Sequence, residues 1–182
     1  MRHFYIDYEN VQSSSPLCGV EGLNSDDEVF IFYSNAARTI NKYYWNKFVG
    51  SPCKKRFYKL EKPSKNALDF CIAVQLGTIF AEKGRREAAI ISNDNGYQAA
   101  IDYCYRCFGK NSIRIVKASC ISEAIDLLGM PESELNDAIK SLSTKIDMVG
   151  EIKTISERTK KETLDERKPL LIRLTSRLAS II

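Results

Sequence analysis

Three acids stand where a carboxylate could do chemistry. Asp7 closes the apolar run "HFYIDY", Asp94 closes "AAIISND", and Asp69 comes early in the periodic segment "SKNALDFCIAVQLGTIFAEKG". Each has polar company: Glu9 and Asn10 follow Asp7, Asn93 and Asn95 flank Asp94, and Asp102 lies two helical turns beyond Asp94. Carboxylates gathered at one place raise each other's pKa and destabilise a fold unless something neutralises them. A hard divalent cation, Mg²⁺ or Mn²⁺, does this through one or two carboxylates, waters and substrate phosphate. Such an ion would activate a water and stabilise charge on a phosphoryl group, so the chemistry implied is phosphodiester hydrolysis. Lys62 and Lys65 flank "PS" just ahead of Asn66 and Asp69, and Lys54, Lys55 and Arg56 precede them. Lys65 is four residues before Asp69, a spacing that puts both on one helical face. These cations suit a phosphate-bearing substrate.

Every one of these residues also has an ordinary reading. Asp7 can form a turn, Asp94 can cap the helix that starts near Gly96, and Asn66, Asp69 and Asp102 can be exposed helix positions. Lys54, Lys55 and Arg56 read as a solvated strand edge. Tyr43, Tyr44 and Trp45 read as packing residues rather than a base-stacking platform. His3, the only histidine, reads as structural because one imidazole makes no ligand set. What favours function is the convergence of three separate segments.

That convergence depends on the elements. "HFYIDY", "EVFIFYS" (28–34), "KKRFYKL" (54–60), "AAIISND" (88–94) and "SIRIVKA" (112–118) read as strands, the third the most exposed. Helical spacing falls between them: Ile40, Tyr43, Tyr44 and Phe48 in "SNAARTINKYYWNKFVG"; Leu68, Ile72, Leu76, Ile79 and Phe80 before a closing Gly84; Ala100, Ile101, Cys104 and Phe108 in "NGYQAAIDYCYRCFGK"; and "SCISEAIDLLG", with Ser122 as its N-cap. Strands alternating with helices predict a three-layer α/β/α fold with a mostly parallel central sheet. Such sheets carry their ligands at the carboxyl ends of the strands, where Asp7 and Asp94 fall.

The domain so defined covers residues 1–128. Residues 129–182 read as a helical extension, with stripes at Leu135, Ile139, Leu142 and Ile146 and at Leu171, Leu174, Leu178 and Ile181, separated by the charged segment 151–168. The stripes would serve a homo-oligomer or a regulatory protein partner, or fold back on the domain. The chain has 182 residues, is 44% hydrophobic and 27% charged, and carries a net charge of +4, which permits nucleic-acid binding without demanding it. The N-terminus lacks the apolar core of a signal peptide, and no run approaches the roughly 20 apolar residues of a membrane span, so a cytoplasmic protein with no membrane partner is expected. The six cysteines are then expected as reduced, buried or half-buried thiols; the lone "CYRC" at Cys104 and Cys107 is short of the four ligands of a structural zinc site.

"FYIDYENV", "KNALDF" and "SNDNGY" together resemble the PIN-like nuclease superfamily, nearest to the small bacterial PIN-like proteins related to the NYN group. The resemblance covers residues 1 to about 128. It implies Asp7, Asp69 and Asp94 as the catalytic, metal-holding acids, Mg²⁺ or Mn²⁺ as cofactor, and RNA as the substrate of a single-strand endoribonuclease. Asn10 matches an Asn that often follows the first Asp, while Lys62, Lys65 and Asn66 fall in the segment expected to contact nucleic acid. One departure stands out: the family's fourth acid, two residues after the last Asp, is Gly96 here, beside Asn95. Glu9 or Asp102 could supply the missing charge. A site short of one acid would hold metal loosely until substrate phosphate completes it, or would belong to a silent RNA-binding or protein-interaction module.

Overall fold

A strand buried on both faces has to be apolar almost throughout, and "RHFYID" is. In the computed structural model it forms β1 (Arg2–Asp7), buried from His3 onward. β2 (Glu28–Ser34), β4 (Arg86–Ile91) and β5 (Ile113–Ala118) are similarly apolar and largely buried, whereas the lysine-rich β3 (Lys54–Leu60) is mostly exposed. All five pair in parallel in the order β3-β2-β1-β4-β5, so β1 is the central strand and β3 an edge. The structure describes residues 1–11, 15–37, 40–61, 64, 66–81, 86–109, 111–131 and 133–134. The chain divides into two units, Met1–Met130 and Pro131–Ile182, and the sheet belongs to the first. The stripes from Leu135 onward, with Lys62, Lys65 and Gly84, lie outside the described residues.

The helices are α1 (Tyr8–Val11), α2 (Lys42–Gly50), α3 (Ala67–Phe80), α4 (Tyr97–Phe108) and α5 (Ile121–Gly129), with a 3₁₀ turn at Val20–Gly22. Parallel crossovers are right-handed, so their direction fixes the face they cover. The chain steps one way from β1 to β3 and back the other way to β4 and β5. That puts α2 on one face of the sheet and α3 and α4 on the other, where α3 touches β1, β2 and β4. The α3–α4 face is filled by Tyr5, Phe30, Phe32, Leu68, Ile72, Leu76, Ile90, Ile101 and Ile115. Tyr5 stacks on Phe30 at 4.9 Å and Phe32 on Tyr58 at 5.0 Å, an aromatic row across three strands. By strand alternation Phe4, Ile6, Val29 and Ile31 face the opposite layer. The expected three-layer α/β/α architecture is therefore the observed one, with a sheet that is wholly parallel.

Three local expectations need correction. The helix read across "SNAARTINKYYWNKFVG" begins only at Lys42, because Asn41 caps it, its Oδ1 accepting from the Tyr43 and Tyr44 amides, while residues 35 and 36 turn at the end of β2. Ser122 is not the N-cap of α5: it is the second helical residue, and Cys120 holds the cap position without a side-chain bond. Backbone does the capping instead, since the Ile121 and Ser122 amides donate to the carbonyls of Pro16 and Cys18. Finally, Cys71 and Cys107 are exposed rather than buried, on the outward sides of α3 and α4; Cys104 points into the core, so the two thiols of "CYRC" face different surroundings.

Candidate active site

The strand order reverses between β1 and β4, and the crevice outside their carboxyl ends is where an open α/β sheet takes a ligand. Asp7 ends β1 there and is fully buried. As an odd-numbered residue of β1, like Tyr5, it faces the α3–α4 layer. One oxygen, Oδ2, accepts three hydrogen bonds: from the Asn10 amide at 2.6 Å, the Ser92 hydroxyl at 3.1 Å and the Tyr97 hydroxyl at 3.0 Å. The other, Oδ1, is buried and has no hydrogen-bond partner. An unsatisfied buried carboxylate oxygen is costly, and here three donors fix the group so that it stays where it is.

Asp69, the third residue of α3, acts on the same hydroxyl, which donates its hydrogen bond to Asp7 and feels the Asp69 carboxylate as well. The phenolic proton is thus given to Asp7 under the influence of a second carboxylate. Burial, then the charge of Asp7 and the hydrogen bond and charge of Asp69, push the Tyr97 pKa far above the ordinary phenol value. Tyr97 is consequently a fixed donor at any physiological pH.

Asp94 joins through its backbone. Its amide donates to Ser92 Oγ at 3.1 Å, the hydroxyl that donates to Asp7, while its own Oδ1 accepts from the Gly96 amide at 2.7 Å. Its carboxylate therefore closes a turn ahead of α4, the ordinary role weighed from the sequence, and one oxygen remains for other use. Lys117 on β5 braces this loop, donating to the Asp94 carbonyl and to Asn95 Oδ1, each at 2.9 Å. Asn93 ties the loop to the other segment by donating to the Asn10 carbonyl at 3.1 Å.

The remaining predicted residues divide. Asn10 stands at the site, as its bond to Asp7 shows. Glu9 accepts a hydrogen bond from Ser34 at the end of β2, so its carboxylate is engaged with the neighbouring strand. Asp102 is exposed on α4 and accepts from Gln98 at 2.9 Å, one turn away. Asn66 is exposed with a left-handed backbone (φ 63°) just ahead of α3. His3 is buried beside Glu28, and burial holds its pKa below the ordinary imidazole value despite that carboxylate. Among the described residues no three of His, Cys, Asp and Glu stand close enough together to hold a metal ion.

Ser92, Tyr97, Ser34 and Lys117 escaped the sequence reading. Two of them sit inside "SNDNGY", and Tyr97 precedes the inward Ile101 by four residues, so helical spacing alone marks it as inward-facing. Lys117 carries no such signal.

The PIN domain family model matches residues 1–113 of the chain. This chain is a PIN-domain protein. PIN domains are generally nucleases, typically dependent on divalent metal. Comparison with curated proteins and with solved structures gave no match. In this PIN domain the matched span contains Asp7, Asp69 and Asp94 together with Ser92 and Tyr97. Among the described residues no helix is long and apolar enough to cross a membrane.

Proposed function

We propose that this PIN domain is a metal-dependent endoribonuclease working in the crevice between β1 and β4. The observation that carries the reading is Asp7 Oδ1, an acceptor buried without a partner while three donors immobilise its twin. That oxygen, with Asp69, which acts on the same Tyr97 hydroxyl, offers the hard donors that Mg²⁺ or Mn²⁺ takes, in the number such an ion commonly requires from protein. Asp94, with one carboxylate oxygen not used by Gly96, would contribute more distantly. When bound, the ion would supply an activated water and neutralise charge on the phosphate.

The chain's own residues do the rest. Asn10, Ser92 and Tyr97 hold the Asp7 carboxylate against rotation, and Tyr97 keeps its proton. Lys62, Lys65 and Asn66, which precede Asp69 in the sequence, would bind the RNA backbone, so affinity should fall as salt rises. Asn95, held by Lys117, keeps the Asp94 loop in place. Mn²⁺ should raise the melting temperature of the parent, because it binds only the folded site, and should leave Asp7→Asn unmoved. Asp7→Asn should also lose Mn²⁺-dependent cleavage of single-stranded RNA. Equal cleavage by parent and variant would sink the reading.

A second reading, a PIN domain that binds RNA or a protein without cutting it, draws support from Asp94 serving its own loop and from Gly96 at the fourth-acid position. It predicts RNA binding with no metal-dependent cleavage in the parent. The segment 129–182 is proposed to mediate oligomerisation or partner binding.

A further inference from the structure

A cleft of about 320 Å³ opens on the other side of β1's exit, in the layer of α2, lined by Tyr8, Ile31, Tyr33, Ile40, Trp45 and Phe57. With Ala37 the lining has seven residues, and four of them are aromatic. Phe57 is 47% exposed on the edge strand and Ile40 is exposed at the mouth, so the cleft presents flat apolar rings to solvent. Trp45 lies 6.0 Å from Phe57 and 5.8 Å from Phe48, which anchors it from below; it is both a packing residue, as its spacing predicts, and a wall of the cleft.

We infer that this cleft is a base-binding subsite that stacks one unpaired nucleobase of the RNA whose backbone crosses the acidic crevice. Three observations select this occupant. The volume suits a single base with its sugar and is near the lower end for ligand pockets, too small for a protein helix. Tyr8 is joined directly to Asp7, and β3 lies two strands from β1, roughly 10 Å away at the usual strand spacing, so one strand of RNA can span both sites. Lysines stand near the cleft: Lys42 opens α2 three residues before Trp45, and Lys59, two residues after Phe57 on the same strand face, is paired with Glu61 at 3.4 Å and would exchange that partner for phosphate. Aromatic faces beside lysines are what an unpaired, phosphate-linked base requires, and stacking tolerates any base. The subsite would give a preference for single-stranded over duplex RNA, whose bases are already stacked.

The inference extends the nuclease reading to its substrate, but its test avoids catalysis. Trp45 is the only tryptophan, so its emission reports the cleft alone. The full chain, in EDTA so that nothing is cut, is titrated with short oligoadenylate and oligouridylate strands. Both should quench Trp45. Phe57→Leu, which keeps apolar bulk but loses the ring, should bind about tenfold or more weakly, while Phe57→Tyr should bind like the parent. Melting curves of both variants show that they fold, Phe57 being an exposed edge residue. RNA binding by fluorescence anisotropy without any change in Trp45 emission, or equal affinity of Phe57→Leu and Phe57→Tyr, overturns the subsite and leaves the nuclease reading standing. Quenching by an apolar dye but by neither RNA would mark a protein-docking cleft instead. Loss of cleavage without loss of quenching would remove the nuclease and keep the subsite.

Discussion

Tyr97 decides how the two nearest acids coexist. Its hydroxyl is one of three donors that hold Asp7 Oδ2, and it feels the Asp69 carboxylate as well. Tyr97→Phe should cost about 1.5–3 kcal/mol of stability, the range for a hydrogen bond to a charged group, and should reduce the proposed cleavage by leaving Asp7 less firmly oriented. The pH dependence has a definite sign. The folded-state pKa of Tyr97 is raised above the unfolded value near 10, so its contribution is complete below about pH 10 and is lost as pH rises through the folded value. Denaturant midpoints measured near pH 8 and near pH 11 should therefore fall more steeply for the parent than for Tyr97→Phe. Equal slopes would mean that the phenol is not buried against the acids. Asp7 was legible in the sequence because it ends an apolar run; its unpartnered oxygen was not, since only the fold shows that Ser92 and Tyr97 both choose Oδ2.

Elements were legible where burial writes a long pattern and obscure where a loop does the work. The strand runs in "EVFIFYS" and "KKRFYKL" match β2 and β3 residue for residue, because a strand's surroundings dictate every side chain in it. The start of α5 was misread because its cap is made by the carbonyls of Pro16 and Cys18, more than a hundred residues earlier in the chain, and no local sequence can show that. Gly19 makes this contact possible. It has φ +92°, and a Cβ there would meet the Ser122 amide nitrogen at 2.5 Å, which is backbone and cannot turn aside. Gly19→Ala should lower stability by about 2 kcal/mol or more, from the strained dihedral and the collision together. Because α5 packs on β4 and β5, protection of the Ile121 and Ser122 amides in hydrogen exchange should fall with it. An unchanged melting temperature would show that the loop yields at no cost.

At the scale of the molecule, the two edges of the sheet hold their charged groups differently. Its carboxyl edge gathers acids, whereas its amino edge pairs Arg2 with Asp27, Nε to Oδ1 at 3.0 Å and Nη2 to Oδ2 at 2.5 Å. Burial, the largest single influence, would raise the Asp27 pKa, but the Arg2 hydrogen bonds and charge together with the Asn24 amide outweigh it and hold the carboxyl below its usual range. The sign follows: Asp27 stabilises the fold above about pH 4 and loses that contribution as pH falls through its depressed value. Asp27→Asn should be less stable at neutral pH and show a flatter acid limb in melting temperature. The order β3-β2-β1-β4-β5 has a consequence in time as well as space. β1 is made first, yet the hydroxyl that steadies Asp7 belongs to a residue ninety positions later. At roughly 5–20 residues per second of synthesis, about 5–20 seconds pass before Tyr97 follows Asp7 off the ribosome. Throughout that interval the nascent chain carries a buried-to-be carboxylate without the hydroxyl that will steady it.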